Sequence, residues 1–290
     1  MNVKVYPYVV DRQQDVILED HDGYKASVRR LASTLNEPLP IDLAQLISME
    51  KVPLLVGKFR EHRAAGHDGI DIGQVSLGNS LMLSSIPQIW GAGLNFLAHA
   101  KDLEATQDDF PGSYNRPYTC VIANGDAIRI PRQSSRVTAE AELGIVLGKT
   151  CKNVSAEDAF DYVLGFTTSL DMTDEGALRQ NLRYIAWSKG FDTFASIGPS
   201  LVLRDQEQFE DLKDIRITTY RNDEVIASNT VSNMKYSIGR LIEYFSAGRT
   251  LPAGTVISTG TPGAAVISPG DTVRAEVSGV GVLEHPVEAA

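Results

Sequence analysis

The chain has 290 residues, 43% hydrophobic and 22% charged, with a formal charge of −10. An acidic balance of this size excludes phosphate backbones as the main partner, because nucleic-acid binding needs a basic face. Two cysteines, Cys120 and Cys151, are too few for a disulfide framework and lack metal-site spacing, so they read as reduced thiols. No apolar run approaches the length that spans a bilayer, and MNVKVYPYVVDRQQ lacks the apolar core of a signal peptide, so a cytoplasmic setting without membrane contact is expected.

Residues 1–85 read as a small N-terminal unit: short strands near VKVYPYVV, a helix over YKASVRRLAST, another over IDLAQLI, and a polar loop at EHRAAGHDGIDIGQ. From residue 86 the character changes to glycine-punctuated, β-branched runs: PQIWGAGLNF, ELGIVLG, YVLGFTTSLDM, RITTYRN, TVISTGTPG, DTVRAEVSG and VGVLEHPV. Two helices are expected among them. Ser155 can cap SAEDAFDYVL, with Asp158 in a variant capping box. NMKYSIGRLIEYFSAG places Ile238, Leu241, Ile242 and Phe245 on one face, with Gly248 as the stop. The fold class is β-rich α+β, with a larger body over 86–290.

The stretch AEAELGIVLG puts Glu140 and Glu142 on one face of a strand, roughly 7 Å apart, beside an apolar run. Like charges that close need either water or a cation. GFTTSLDMTDEG delivers Asp171 on a returning strand. Spacing alone leaves two arrangements open: glutamates on a wet face with Asp171 starting a turn, or three hard oxygen donors around Mg²⁺, Mn²⁺ or Ca²⁺.

Five motifs in order bear on that choice: GAGLNFLAHAKDL, AEAELGIVLG, SKGFDTFASIGPSLV, VISTGTPG and SPGDTVRAEVSGVGVLEHPV. Over residues 86–290 they resemble the fumarylacetoacetate hydrolase family. The resemblance implies a mixed β-roll with a small N-terminal domain, a homodimer, and Glu140, Glu142 and Asp171 as ligands of Mg²⁺, Mn²⁺ or Ca²⁺. It also implies Lys189 as the active-site lysine, His99 as the catalytic histidine with Asp102 three residues on, and Thr261 with Gly260 in the turn that takes a substrate carboxylate.

Taken singly, these residues say less. His99 has apolar neighbours and suits a structural role as well as a pairing with Asp102 on one side of a helical turn. Lys189, between Trp187 and Phe191, is either a snorkelling surface cation or a buried one facing an anion. The chain also departs from the family pattern. Where an arginine, an aspartate and a glutamine follow the metal aspartate, Glu175, Gly176 and Leu178 stand here. Arg116 replaces a lysine, keeping the charge and changing its geometry.

The implied activity is metal-dependent hydrolysis of a C–C bond in an acylpyruvate-like or β-diketo acid, with His99 activating water, Lys189, Arg116 and Thr261 facing an anionic small molecule, and LNFLAHAKDL closing over it. The alternative is decarboxylation, dehydration or isomerisation of a 2-oxo acid through the same enolate. A third reading is an inactive binding protein, against which the intact carboxylate set and His99 count.

Overall fold

The computed structural model describes residues 3–10, 13–33, 35, 38–70, 82–96, 110–204 and 212–290. Its strands are β1 (Lys4–Val10), β2 (Gln13–Glu19), β3 (Lys25–Ser27), β4 (Ile89–Gly93), β5 (Gly112–Arg116), β6 (Val121–Ile122), β7 (Ile128–Ile130) and β8 (Val137–Leu147). They continue with β9 (Val163–Asp174), β10 (Ala195–Leu203), β11 (Arg216–Arg221), β12 (Glu224–Thr230), β13 (Val256–Ser258), β14 (Ala265–Ile267), β15 (Thr272–Val277) and β16 (Gly281–Ala289). Among the described residues they form an 11-stranded sheet in the order β3-β2-β1-β10-β9-β8-β13-β4-β5, with β14 on β8 and β6 on β10, and a 5-stranded sheet in the order β12-β11-β15-β16-β7. The architecture is the expected β-rich α+β class.

The centre of the large sheet is the long antiparallel pair β8–β9, in which Glu140 faces Asp171, Glu142 faces Ser169 and Thr138 faces Thr173. Because side chains alternate, the pair has two unlike faces. Ala139, Ala141, Leu143, Leu170 and Met172 point into a core shared with Ile217, Val273, Ala275, Val277 and Leu283 of the smaller sheet. Each large aliphatic side chain fully buried there contributes about 1.5–3 kcal/mol. Thr138, Glu140, Glu142, Ser169, Asp171 and Thr173 line the other face.

A second core joins Val5, Val16, Leu18, Leu31, Leu46, Leu55 and Phe59 of the N-terminal segment to Val146, Ile197, Leu201 and Val256. The N-terminal strands continue the large sheet, since β1 pairs with β10. A boundary at residue 85 therefore runs through one sheet and one shared core.

Three local expectations change. The helix over YKASVRRLAST begins as β3 and is helical only over Val28–Ala32, because residues 25–27 pair with β2. The start of EHRAAGHDGIDIGQ is the last turn of a helix, Val52–Ala64, which buries Leu55, Phe59 and His62. The helix over SAEDAFDYVL shrinks to a 3-10 turn, Ala159–Tyr162, because β9 claims Val163 onward and is paired on both sides. The Ser155–Asp158 contact survives at 2.7 Å. The second helix forms as expected over Ile238–Ser246, with the Ser237 side chain accepting from the Arg240 N–H. Both cysteines are free and buried.

Candidate metal centre

Glu140, Glu142 and Asp171 each place a carboxylate oxygen within 4.8 Å of the others. The register makes this inevitable: Glu140 sits directly across the ladder from Asp171, and Glu142 is one alternation further along the same face. Glu142 and Asp171 are buried, and Glu140 is partly so.

Asp171 is held from several sides. Arg116 pairs with its Oδ1, Lys189 Nζ reaches Oδ2 at 2.8 Å, and the Tyr114 hydroxyl donates to the same Oδ2. Lys189 Nζ also donates to Thr173 Oγ1 at 2.6 Å and lies 3.6 Å from Glu140. Burial alone would raise the Asp171 carboxyl, but Arg116 and then Lys189 outweigh it and keep it ionised, below the usual carboxylate range. Glu142 goes the other way: burial, and then the charge of Asp171, push it well above its usual value despite an N–H from Gly260 at 2.9 Å. Three carboxylates face two cations, so whenever Glu142 is ionised one negative charge is left over in a buried place. Hard oxygens, close spacing and surplus charge suit a small divalent cation such as Mg²⁺ or Mn²⁺, and the same donors admit Ca²⁺.

Both terminal nitrogens of the Arg116 guanidinium are occupied. Its Nη1 donates to the Lys189 and Phe194 carbonyls, and its Nη2 to Asp171 and the Met172 carbonyl. It therefore holds Asp171 and the Lys189 backbone rather than reaching outward. Gly260 sits at φ +91°, where a side chain would also run into the Ala92 carbonyl at 2.7 Å, and this strained turn is what aims its N–H at Glu142. The Thr261 hydroxyl donates to the Gly263 carbonyl at 3.0 Å inside its own turn. The structure thus brings together Glu140, Glu142, Asp171, Lys189 and Arg116, adds Gly260 behind Glu142, and keeps Thr261 within its loop. His99 and Asp102 lie outside the described residues.

Tyr114 was missed from the sequence. It faces Gly91 across the β4–β5 ladder, and a Cβ at Gly91 would run into its ring, so the bare backbone there is what lets the ring pass toward Asp171. Lys189 Nζ sits 4.5 Å from the ring centroid. Burial, and then Asp171, hold the phenol well above its usual range, so it stays a donor. The available signal was its place two residues before Arg116, on the same strand face.

With this geometry in hand, comparison gives the class. Residues 88–288 match the model of the fumarylacetoacetate (FAA) hydrolase C-terminal domain, and the chain belongs to this family of enzymes. It is similar to the mitochondrial oxaloacetate tautomerase of Xenopus laevis, 32% identical over 204 residues that cover 67% of this chain and 63% of that one. A mitochondrial oxaloacetate decarboxylase of Dictyostelium discoideum is 31% identical over 199 residues, covering 67% and 89%. Among solved structures, the 5-carboxymethyl-2-hydroxymuconate delta-isomerase of Mycobacterium smegmatis superposes with TM-score 0.64 at 34% identity, covering 71% of this chain and 78% of that one. Among the described residues no helix is long and apolar enough to cross a membrane.

Proposed function

We propose that this chain is a divalent-metal-dependent enzyme that handles a 2-oxo acid through its enol form, isomerising or decarboxylating it. The observation that carries this reading is the buried triad of Glu140, Glu142 and Asp171 beside the buried cation Lys189. A divalent ion held by the three carboxylates supplies Lewis acidity toward a chelating 2-oxo acid.

The chain supplies the rest. Arg116 and Tyr114 fix Asp171 so that its carboxylate does not have to reorganise. The Lys189 ammonium, already between Glu140 and Asp171, balances negative charge that develops on the substrate oxygen. The three relatives named above, a tautomerase, a decarboxylase and an isomerase, support the branch without added water. The second reading is C–C hydrolysis of an acylpyruvate or β-diketo acid, favoured by His99 three residues before Asp102, a pair suited to activating water. Homodimeric assembly, a cytoplasmic setting and a division into a small N-terminal domain (1–85) and a catalytic domain (86–290) belong to the same proposal.

The test is a turnover screen over oxaloacetate, longer 2-oxo acids and acylpyruvates with Mg²⁺ or Mn²⁺, run in ¹⁸O-labelled water with products resolved by mass and C3 proton exchange followed by NMR. Exchange or CO₂ release without label in a new carboxylate supports the first reading, and label there selects hydrolysis. Absence of all three with every substrate and both metals overturns the proposal.

A further inference from the structure

The stretch that carries Lys189 to the carboxylates closes on itself. The Lys189 and Phe194 carbonyls both accept from Arg116 Nη1, and the Phe194 carbonyl also takes the Met172 N–H at 3.0 Å. One residue further on, Ala195 enters β10 directly across from Asp171. The chain must therefore reverse within residues 190–193 for both carbonyls to reach one nitrogen. Phe191 packs edge-on against Trp187 and Phe194, with ring centroids 4.7 and 5.3 Å away, and fills the reversal.

The reversal is completed at Thr193, whose φ is +68°. Left-handed backbone is costly for a side chain branched at Cβ, and Thr193 is the only such residue with positive φ among the described residues. Glycine or asparagine would take this conformation more easily. Something else must hold Thr193 there. Its hydroxyl oxygen accepts from the Arg129 N–H at 2.9 Å. Arg129 lies on β7, the edge strand of the smaller sheet, and this outward N–H is one that its own sheet leaves unused. The bond ties the turn that leads into the large sheet to the edge of the other sheet.

We infer that Thr193 is a positioning residue for the metal centre: its strained turn, tethered to the smaller sheet through Arg129, fixes where Lys189 and Arg116 stand against Glu140 and Asp171. This rests on the metal-centre reading above. It goes beyond the reaction proposed there, because it holds for any anion that chelates the ion beside Lys189.

The experiment is calorimetry of oxalate on the Mg²⁺-saturated protein, paired with thermal melting of the metal-free protein. Oxalate meets the ion and the Lys189 ammonium, so its affinity reports how well the two are aligned. Thr193→Gly relaxes the backbone and removes the tether. Its melting temperature should stay close to the parent's, while oxalate binds about tenfold more weakly. Thr193→Ser keeps the hydroxyl and should bind oxalate like the parent. Arg129→Pro removes the N–H from the other side of the bond, on an edge strand that tolerates the change. It should show the same loss as Thr193→Gly, and the two combined should lose no more than either alone. Parent-like oxalate affinity in Thr193→Gly, or affinities that fall only in step with melting temperature across the variants, overturns the inference. Failure of oxalate to bind the Mg²⁺-saturated parent overturns the metal-centre reading instead, and the positioning role with it.

Discussion

Two places in the described structure gather three side chains of the kind that hold metals, and they differ in what surrounds them. Asp20, His21 and Asp22 sit in a surface turn after β2. Asp20 accepts from the Asp22 and Tyr24 N–H groups, and Arg63 reaches over to pair with both aspartates. His21 and Asp22 are more than half exposed. Charge and hydrogen bonding are therefore satisfied by the chain and by water. At Glu140, Glu142 and Asp171 the donors are buried, two cations already serve them, and a negative charge is still in surplus. Closeness of ligand atoms is common to both. Unmet demand in a dry place is found only in the second.

The largest expected effect comes from Asp171→Ala, which leaves Arg116 buried without its carboxylate. Urea unfolding should show a loss of about 3–5 kcal/mol, together with loss of Mg²⁺ binding. A smaller loss would mean that water reaches Arg116 and that the centre is wetter than its burial indicates. Glu142→Gln should have opposite signs in two conditions. Metal-free, it removes a carboxyl that burial disfavours, so the melting temperature should rise. With Mg²⁺ the rise seen in the parent should vanish, and titration should give affinity lower by about 100-fold or more.

Tyr114→Phe removes the phenol bond to Asp171 and keeps the ring beside Lys189. It should weaken metal binding by about 10- to 100-fold, read by the same titration. Asp20→Asn combined with His21→Ala should leave Mg²⁺ affinity unchanged, and any marked weakening would dissolve the contrast between the two clusters.

The smallest effect concerns acid. His285 is fully buried, its Nδ1 bonded to the Asp126 carbonyl at 2.8 Å and its Nε2 without a partner among the described residues, and burial lowers its pKa. Below about pH 6.5 the unfolded chain takes up a proton at this residue that the folded chain refuses, so its contribution destabilises as pH falls. Metal-free Glu142, whose pKa is raised, works in the opposite direction between its folded value and about 4.5, and Asp171 contributes a slope only in stronger acid. The comparison is therefore parent against His285→Gln, by urea midpoints at about pH 8 and about pH 5. The variant should lose less on acidification, and equal losses would remove His285 from the account.

Much of the carboxylate set could be read in the residues, because strand alternation is local. Two glutamates two apart must share a face, and β-branched runs such as TVISTG form strands wherever they are paired. What escaped was set by partners distant in sequence. Tyr114 matters because Gly91, on another strand, leaves room for its ring. The run AEDAFDYVL has helical spacing, yet β8 and β10 capture it from Val163 onward. Thr193 looks like an ordinary turn residue until the Arg129 N–H is seen to hold it. The i+3 pair His99 and Asp102 lies outside the described residues, so the expected closure of LNFLAHAKDL belongs with the proposal for hydrolysis.

The unbroken register of β8 against β9 has a consequence for how this chain can vary. From Val137 to Val146 every residue is matched one for one, and the first irregularity falls at Val146/Leu147, past the last carboxylate. A one-residue slip of this segment of β8 against β9 would turn Glu140 and Glu142 into the apolar core and bring Ala139 and Ala141 to the polar face. Substitutions can be absorbed one at a time along this segment, but a change of length cannot. Variation in length has room only before residue 137 or after residue 147, where the chain leaves the ladder.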